Sequence, residues 1–315
     1  MLLITLEQIR EILPQLDLLS SMEEGFRAYS QGQVVVPPVG ELILEKGEVH
    51  IKYGYVKGED YYVIKVASGF YQNAALGLPS SNGLMLLFSQ DTGELLSILH
   101  DEGHLTDVRT ALAGAVVARH LAPGNVERIG IIGTGTQARL QLKYLKGILD
   151  CREVCVWGRS DASLAAYRSA MKAEGFNIAT TTQVSEAAQS CDFIVCTTPS
   201  KIPLLQWEDI RPGTHITAVG SDTPEKQELD PEILKQAHRV VGDSLEQCKL
   251  RGEIHQALKI GAIDISKVIE LGDLISGKSP GRNSDSDLSV ADLTGVAIQD
   301  IRIASLVYEA IINKK

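Results

Sequence analysis

No apolar run in the 315-residue chain approaches the roughly 18 residues needed to cross a bilayer. An excess of positive charge is also missing: 30 Lys and Arg stand against 40 Asp and Glu, a formal charge of −10. Nucleic-acid and membrane-surface partners need a basic footprint, so neither is expected; a local basic pocket for a phosphate stays open. The start, MLLITLEQIREIL, has no basic leader and no small-residue cleavage site, and Glu7 and Arg10 already fall within it. An export signal is therefore not expected, and the protein is read as cytoplasmic. Cysteine is scarce and odd in number: Cys151, Cys155, Cys191, Cys196 and Cys248. Cys151 and Cys155 have no histidine at knuckle spacing, and His104, His120, His215, His238 and His255 show no ligand spacing, so no metal site is expected. Reduced, buried thiols fit better.

What is present is ordinary globular composition, 44% apolar and 22% charged. The length suggests two domains. Helical patterns cover about 5–13 and 16–31. Strand-like runs follow: ELILEKG, VHIKYGYV, YYVIKVASGF, then LMLLFSQ and LLSILH around Asp91-Thr92-Gly93. That last pair predicts a hairpin, and neighbouring strands without long crossovers imply antiparallel or mixed pairing. A helix spans about Thr106 to Leu121, where Ala and Gly at 111–115 point to close packing. Ala122-Pro123-Gly124-Asn125 marks a boundary, giving a first domain at 1–122 and a second at 123–295. Beyond it, RIGIIG, EVCVWG, DFIVCTT, HITAVG and HRVVGD alternate with helices, the pattern of a doubly wound parallel sheet. The last helix, in 296–315, is apolar around most of its circumference (Val296, Ile298, Ile301, Ile303, Leu306, Val307, Ile311) and is read as rejoining the first domain. The fold class is thus α/β.

Gly133-Thr134-Gly135-Thr136-Gln137-Ala138 follows the strand Ile129–Ile132 directly. Glycines there permit a tight turn and close backbone approach to a pyrophosphate, and the next helix aims its free amides at the anion. Ala138 replaces the third glycine, an accepted variant for helix–strand packing. The second strand ends not in an acid but in Gly158-Arg159-Ser160. A guanidinium and a hydroxyl suit the extra phosphate of NADP(H); if Arg159 only stacks on adenine, NAD(H) serves as well.

Three residues break their local patterns. Lys65 lies inside the apolar strand VIKVASGF, Arg109 opens a buried-looking helix, and Asp222 follows the strand HITAVGS, where open α/β sheets place ligands. Singly, each reads as an ion pair or a cap. Together with LPSSNG at 78–83, TDVRTA at 106–111, the GTGTQA turn, TTPS at 197–200, VGSDTPEKQELDPEIL at 219–234 and ELGDLISGKSPGR at 270–282, the chain resembles the ornithine cyclodeaminase/mu-crystallin family.

The resemblance implies a Rossmann-type doubly wound parallel sheet plus an α/β dimerisation and substrate domain, and a homodimer. It implies that Lys65 and Asp222 are catalytic, and that Arg109 and Thr110 line the nicotinamide and substrate pocket. Asn82, Val219, Ser221 and Lys226 fall where the family contacts the cofactor, with Thr198 near its adenosine part. Gly133, Gly135, Thr136, Gln137, Ala138, Arg159 and Ser160 complete the expected cofactor set. Two departures bear on the substrate. Many relatives carry a carboxylate-gripping arginine where this chain has Val36-Pro37-Pro38-Val39-Gly40-Glu41; Lys52 and His50 are the candidate replacements, against an ordinary exposed strand face. Glu225 stands where glycine is common.

The expected activity is NAD(P)H-dependent reduction of a small 2-imino acid to an amino acid. The alternatives are a cyclodeaminase, an ammonia-lyase that regenerates its NAD internally, and a mu-crystallin-like NADPH-dependent binding protein.

Overall fold

In the first third of the chain, side chains on the long strands alternate between a covered and an open sheet face, as a period of two requires. The computed structural model describes residues 1–314. The chain divides into two units, Met1–Arg109 with Val296–Lys315, and Thr110–Gly295. Lys315, the end of the expected last segment, lies outside the described residues.

The first unit begins with β1 (Leu2–Thr5), α1 (Leu6–Ile12) and α2 (Leu18–Ser30). Thr5 and Gln8 form a reciprocal capping box at the start of α1, and Asp17 caps α2. Then come β2 (Val34–Val35), β3 (Gly40–Ile43), β4 (Glu48–Val56), β5 (Tyr61–Gly69), β6 (Ser81–Ser89) and β7 (Leu95–His100). They form one sheet in the order β1-β7-β6-β5-β4-β2, with β3 also on β4. Only β1 pairs in parallel, with β7, so the sheet is mixed as expected. The hairpin at Asp91–Gly93 joins β6 to β7, and β1 is a strand that the sequence reading missed. Val56, Val63, Met85, Leu87 and Leu99 are buried on one face. The opposite face carries Ile51, Tyr53, Tyr55, Tyr62, Ile64, Val66, Leu84, Leu86 and Phe88, half-buried or exposed, with Tyr62 stacked on Phe88 at 4.7 Å.

Helix α3 (His104–Leu121) starts in this unit and runs past Arg109. The structure therefore divides in mid-helix, whereas the sequence placed the boundary at 122–123. The Pro123-Gly124 turn follows the end of α3.

The second unit continues with β8 (Ile129–Ile132), α4 (Thr136–Leu145), β9 (Glu153–Trp157), α5 (Asp161–Ala173), β10 (Asn177–Thr181), α6 (Val184–Gln189), β11 (Phe193–Cys196) and β12 (His215–Ala218). Next are α7 (Pro231–Gln236), β13 (Arg239–Gly242), α8 (Leu245–Cys248), α9 (Gly252–Lys259), β14 (Val268–Glu270), α10 (Leu271–Ile275) and β15 (Ser289–Asp292). Its eight strands pair in the order β10-β9-β8-β11-β12-β15-β13-β14, all parallel. Strands β10, β14 and β15 were not anticipated: β10 is polar and β14 has three residues. β15, SVAD, carries a serine and an aspartate yet is wholly buried between β12 and β13. Because β8 lies between β9 and β11, the winding reverses at the carboxyl ends of β8 and β11, where such sheets bind ligands.

His215 is a structural residue of β12. It bonds to Ser289 at 2.8 Å and Thr217 at 2.9 Å, and burial pushes its pKa down to about 3. The last helix, α11 (Ala297–Ile312), belongs to the first unit. Among the described residues no helix is long and apolar enough to cross a membrane, and no group of residues has the makings of a metal site.

Candidate active site

The second unit builds its site at the switch point. Gly133 has a φ of +120°, and a Cβ there would stand 2.6 Å from the Thr197 hydroxyl, so only glycine makes this turn. Gly135 caps α4 with no side chain, and the space above it is open. The first turn of the helix, which begins at Thr136 and has no side-chain cap, thus faces a cradle that suits a pyrophosphate. Ala138 is fully buried, which explains the small residue, and its carbonyl accepts from the Tyr167 hydroxyl at 3.0 Å. Arg159 is exposed just past β9, while Ser160 caps α5 by accepting the Ser163 amide.

Two buried carboxylates, which the sequence reading did not single out, tie the neighbouring loops together. Glu228 accepts from the Thr198 amide at 2.6 Å, the Thr198 hydroxyl at 2.8 Å and the Gly220 amide at 2.9 Å. It thereby staples the loop after β11 to the loop after β12. Glu253 accepts from the Ser221 hydroxyl and from the amides of Glu228 at 2.7 Å and Leu229 at 3.1 Å. Burial, then the Glu253 charge, pushes the Glu228 carboxyl up to about 8, against the pull of its hydrogen bonds; burial raises Glu253 to about 7. Their targets are the expected cofactor residues Thr198 and Ser221 and the segment that follows buried Val219.

Asp222 follows on this loop. Its carboxylate accepts from the Lys226 ammonium at 2.7 Å, and its carbonyl accepts from Arg251 at 3.1 Å. The Asp222 side chain is 36% exposed and that of Lys226 5%, so the acid is reachable while its cationic partner is buried.

The first unit holds the other half of the expected set. Lys65, on β5, is 2% exposed, and Lys52, on β4, is 5% exposed and directly opposite in the strand register. Like charges facing across a strand pair are unfavourable, so the pair needs anions nearby. The buried carboxylate of Asp300, on α11, lies 3.5 Å from the Lys65 ammonium and 3.1 Å from Arg109 Nε. Arg109 also donates to Gln299 Oε1 at 2.7 Å. His50, buried on the same sheet face, lies 3.7 Å from Glu41. Asp101 accepts from the Leu105 amide at the start of α3, and burial raises its carboxyl to about 6. Asn82 is exposed at the start of β6, and the Thr110 carbonyl accepts from Gln141 at 3.1 Å.

Asp300 and Gln299 also escaped the sequence reading, although their signal was present. A Gln-Asp pair inside AIQDIRIASLV breaks an apolar helix just as Lys65 breaks an apolar strand.

A parallel sheet with a glycine turn at its switch point in the second unit, and a buried lysine–arginine–carboxylate cluster in the first, define a dinucleotide-binding α/β protein. The chain belongs to the ornithine cyclodeaminase/mu-crystallin family, whose model matches residues 1–315. It is 36% identical to an archaeal alanine dehydrogenase solved as a dimer with bound NAD, with a TM-score of 0.92 over 99% of this chain and 96% of that one. A Thermococcus litoralis Δ1-pyrroline-2-carboxylate reductase in complex with NADH and L-proline superposes at a TM-score of 0.94, with 28% identity over 100% of this chain and 98% of that one. By sequence, an uncharacterized cyclodeaminase of Sinorhizobium fredii is 39% identical over 315 residues, 98% of this chain and 95% of the relative.

Proposed function

We propose that the protein is an NAD(P)H-dependent reductase of small 2-imino acids, running in reverse as an amino acid dehydrogenase. The observation that carries this reading is the buried Lys65–Asp300–Arg109 cluster, a charged group set into an apolar sheet and helix with little structural need for it. Asp300 and Gln299 occupy Nε and Nη1 of Arg109, which leaves Nη2 for the substrate carboxylate. Lys65 orients that carboxylate or passes a proton, and Lys52 adds a second cation in place of the absent arginine. Asp222 holds the cationic imino or amino nitrogen by charge and hydrogen bond, or activates water.

The nicotinamide, when bound, supplies or takes the hydride. Gly133, Gly135, Thr136, Gln137 and Ala138 would seat its pyrophosphate, Thr198, Val219 and Ser221 the loops around it, and Asn82, Arg109, Thr110 and Lys226 its remaining contacts. Exposed Arg159 with Ser160 favours NADP(H) over NAD(H). The five unpaired cysteines fit a reducing compartment, the cytoplasm. The open apolar sheet face of the first unit is read as the seat of a second copy of this chain, in keeping with the archaeal dimer. Light scattering should give about twice the mass of one chain, and Ile64→Asp, on that face, should give one chain mass; a monomeric wild type would refute the dimer.

A cyclodeaminase is the second reading, favoured by the Sinorhizobium fredii relative and by reachable Asp222. One assay separates them. Nicotinamide absorbance is followed with NADPH or NADH and a panel of 2-oxo acids plus ammonia or methylamine, beside ornithine with catalytic NAD. Net NADPH oxidation is expected, and Arg159→Asp should move the preference toward NADH. Proline and ammonia from ornithine with a silent panel would make the protein a lyase; silence in both would leave a nicotinamide-dependent binding protein.

A further inference from the structure

We infer that Asp300 is the positioning residue of this site: its one carboxylate holds Lys65 as an ammonium and fixes the Arg109 guanidinium that meets the substrate. The inference rests on the reading of Lys65 and Arg109 given above and extends it to a residue that contacts neither substrate nor cofactor in that scheme.

Geometry carries it. Asp300 is 1% exposed and reaches Lys65 with one oxygen, at 3.5 Å, and Arg109 Nε with the other, at 3.1 Å. Gln299, the preceding residue of α11, takes Arg109 Nη1 at 2.7 Å. Two adjacent residues in the first turn of one helix thus meet two different nitrogens of one guanidinium, Asp300 as an ion pair and Gln299 by a hydrogen bond. The position within the first turn also places the carboxylate where the helix dipole favours negative charge.

The charges around Lys65 give the inference its sign. From β4 it faces Lys52, with His50 two residues away on the same side; from β6 it faces uncharged Met85. α3 brings Arg109 and α11 brings Asp300. Asp101, before α3, is close enough to feel the Asp300 charge, and Glu41 sits by His50. A buried ammonium beside two other cations is disfavoured unless an anion holds it. Asp300, at 3.5 Å, is such an anion. If it went, Lys65 would lose its proton more readily and Arg109 would lose its orientation. If Lys52 went, Lys65 would keep its proton longer.

The two changes therefore push the same titration in opposite directions, which no merely structural role predicts. Δ1-pyrroline-2-carboxylate, a preformed imine, serves as the probe, with NADPH. Its own titration is common to all variants and cancels in the difference. In kcat/KM against pH, Asp300→Asn should move the basic limb down by about 1–3 pH units and raise KM at least tenfold. Asp300→Glu, which keeps the charge, should restore the limb. Lys52→Met should move it up. The Lys65 Cε resonance, assigned by its loss in Lys65→Met and titrated in the same proteins by carbon-13 NMR, should shift in the same directions without any need for turnover. Limbs that stay put in Asp300→Asn, or move the same way in Asp300→Asn and Lys52→Met, would overturn the inference. Should Asp300→Asn not fold, Asp300→Glu and Lys52→Met still decide it, since an unmoved Lys65 titration in Lys52→Met sinks the charge argument. Failure of every imino acid with the wild type would instead sink the functional reading, and the NMR titration would still judge the role of Asp300.

Discussion

Asp222→Asn should lower turnover by roughly 10²–10⁴-fold while NADPH affinity stays within threefold of the parent. The substitution is isosteric, and the loop does not depend on the ionised side chain for its shape. Its main chain is held from other directions: Arg251 bonds the Asp222 carbonyl, Glu228 bonds Gly220 and Glu253 bonds Ser221. What the variant loses is the negative charge, which in the parent is paired with Lys226 at 2.7 Å and still reachable. A charge that is both partnered and accessible stabilises a cationic imine without wandering from its position. Single-turnover kinetics with saturating NADPH, alongside fluorescence titration of the cofactor, separate the two effects. Unchanged single-turnover rates would remove Asp222 from the chemistry.

Gly220→Ala should be the most damaging single-methyl change in the second unit. A Cβ at this position would lie 2.5 Å from the Thr198 amide nitrogen and 2.6 Å from the Glu228 carboxylate, and closer still to the Thr198 carbonyl oxygen. Two of these three atoms are backbone, so no flexible side chain can swing aside to make room. The loops after β11 and β12 would be forced apart, and the bonds that Glu228 makes to both would lengthen together. The expected cost is about 3 kcal/mol, the upper end for overpacking. In a unit of this size that corresponds to a fall in Tm of roughly 6–12 °C. NADPH affinity should fall as well, because Thr198 is displaced. A variant that melts within 2 °C of the parent would show that the two loops have slack that the structure does not reveal.

Much of this was legible in the sequence, and for a physical reason. The GTGTQA turn, the apolar strands of the second unit and the Lys65 interruption all carry their signal locally, in residue type and spacing. The hairpin at Asp91–Gly93 does too. What escaped depended on partners distant in sequence. β15 is buried between β12 and β13 although its SVAD sequence is half polar, because His215 and neighbouring backbone satisfy Ser289 while Asp292 accepts the Ile254 amide. Glu228 and Glu253 carry no local mark of burial, and only the closure of two loops around them gives them a purpose. Asp300 breaks its apolar helix visibly, but its partners Arg109 and Lys65 lie some 190 to 235 positions away, so the break alone does not show what it serves. The boundary expected at 122–123 rests on a strong local turn at Pro123-Gly124, whereas the two compact units part inside α3.

The first unit is assembled from both ends of the chain, with Val296–Lys315 completing what Met1–Arg109 begins. During synthesis, every residue of the second unit emerges before the helix that bears Asp300. The part of the protein made first is therefore the part that finishes last. Until then Lys52 and Lys65 on the sheet and Arg109 on α3 lack the carboxylate that α11 will bring, and the nascent chain has a reason, in uncompensated charge, not to close that face early.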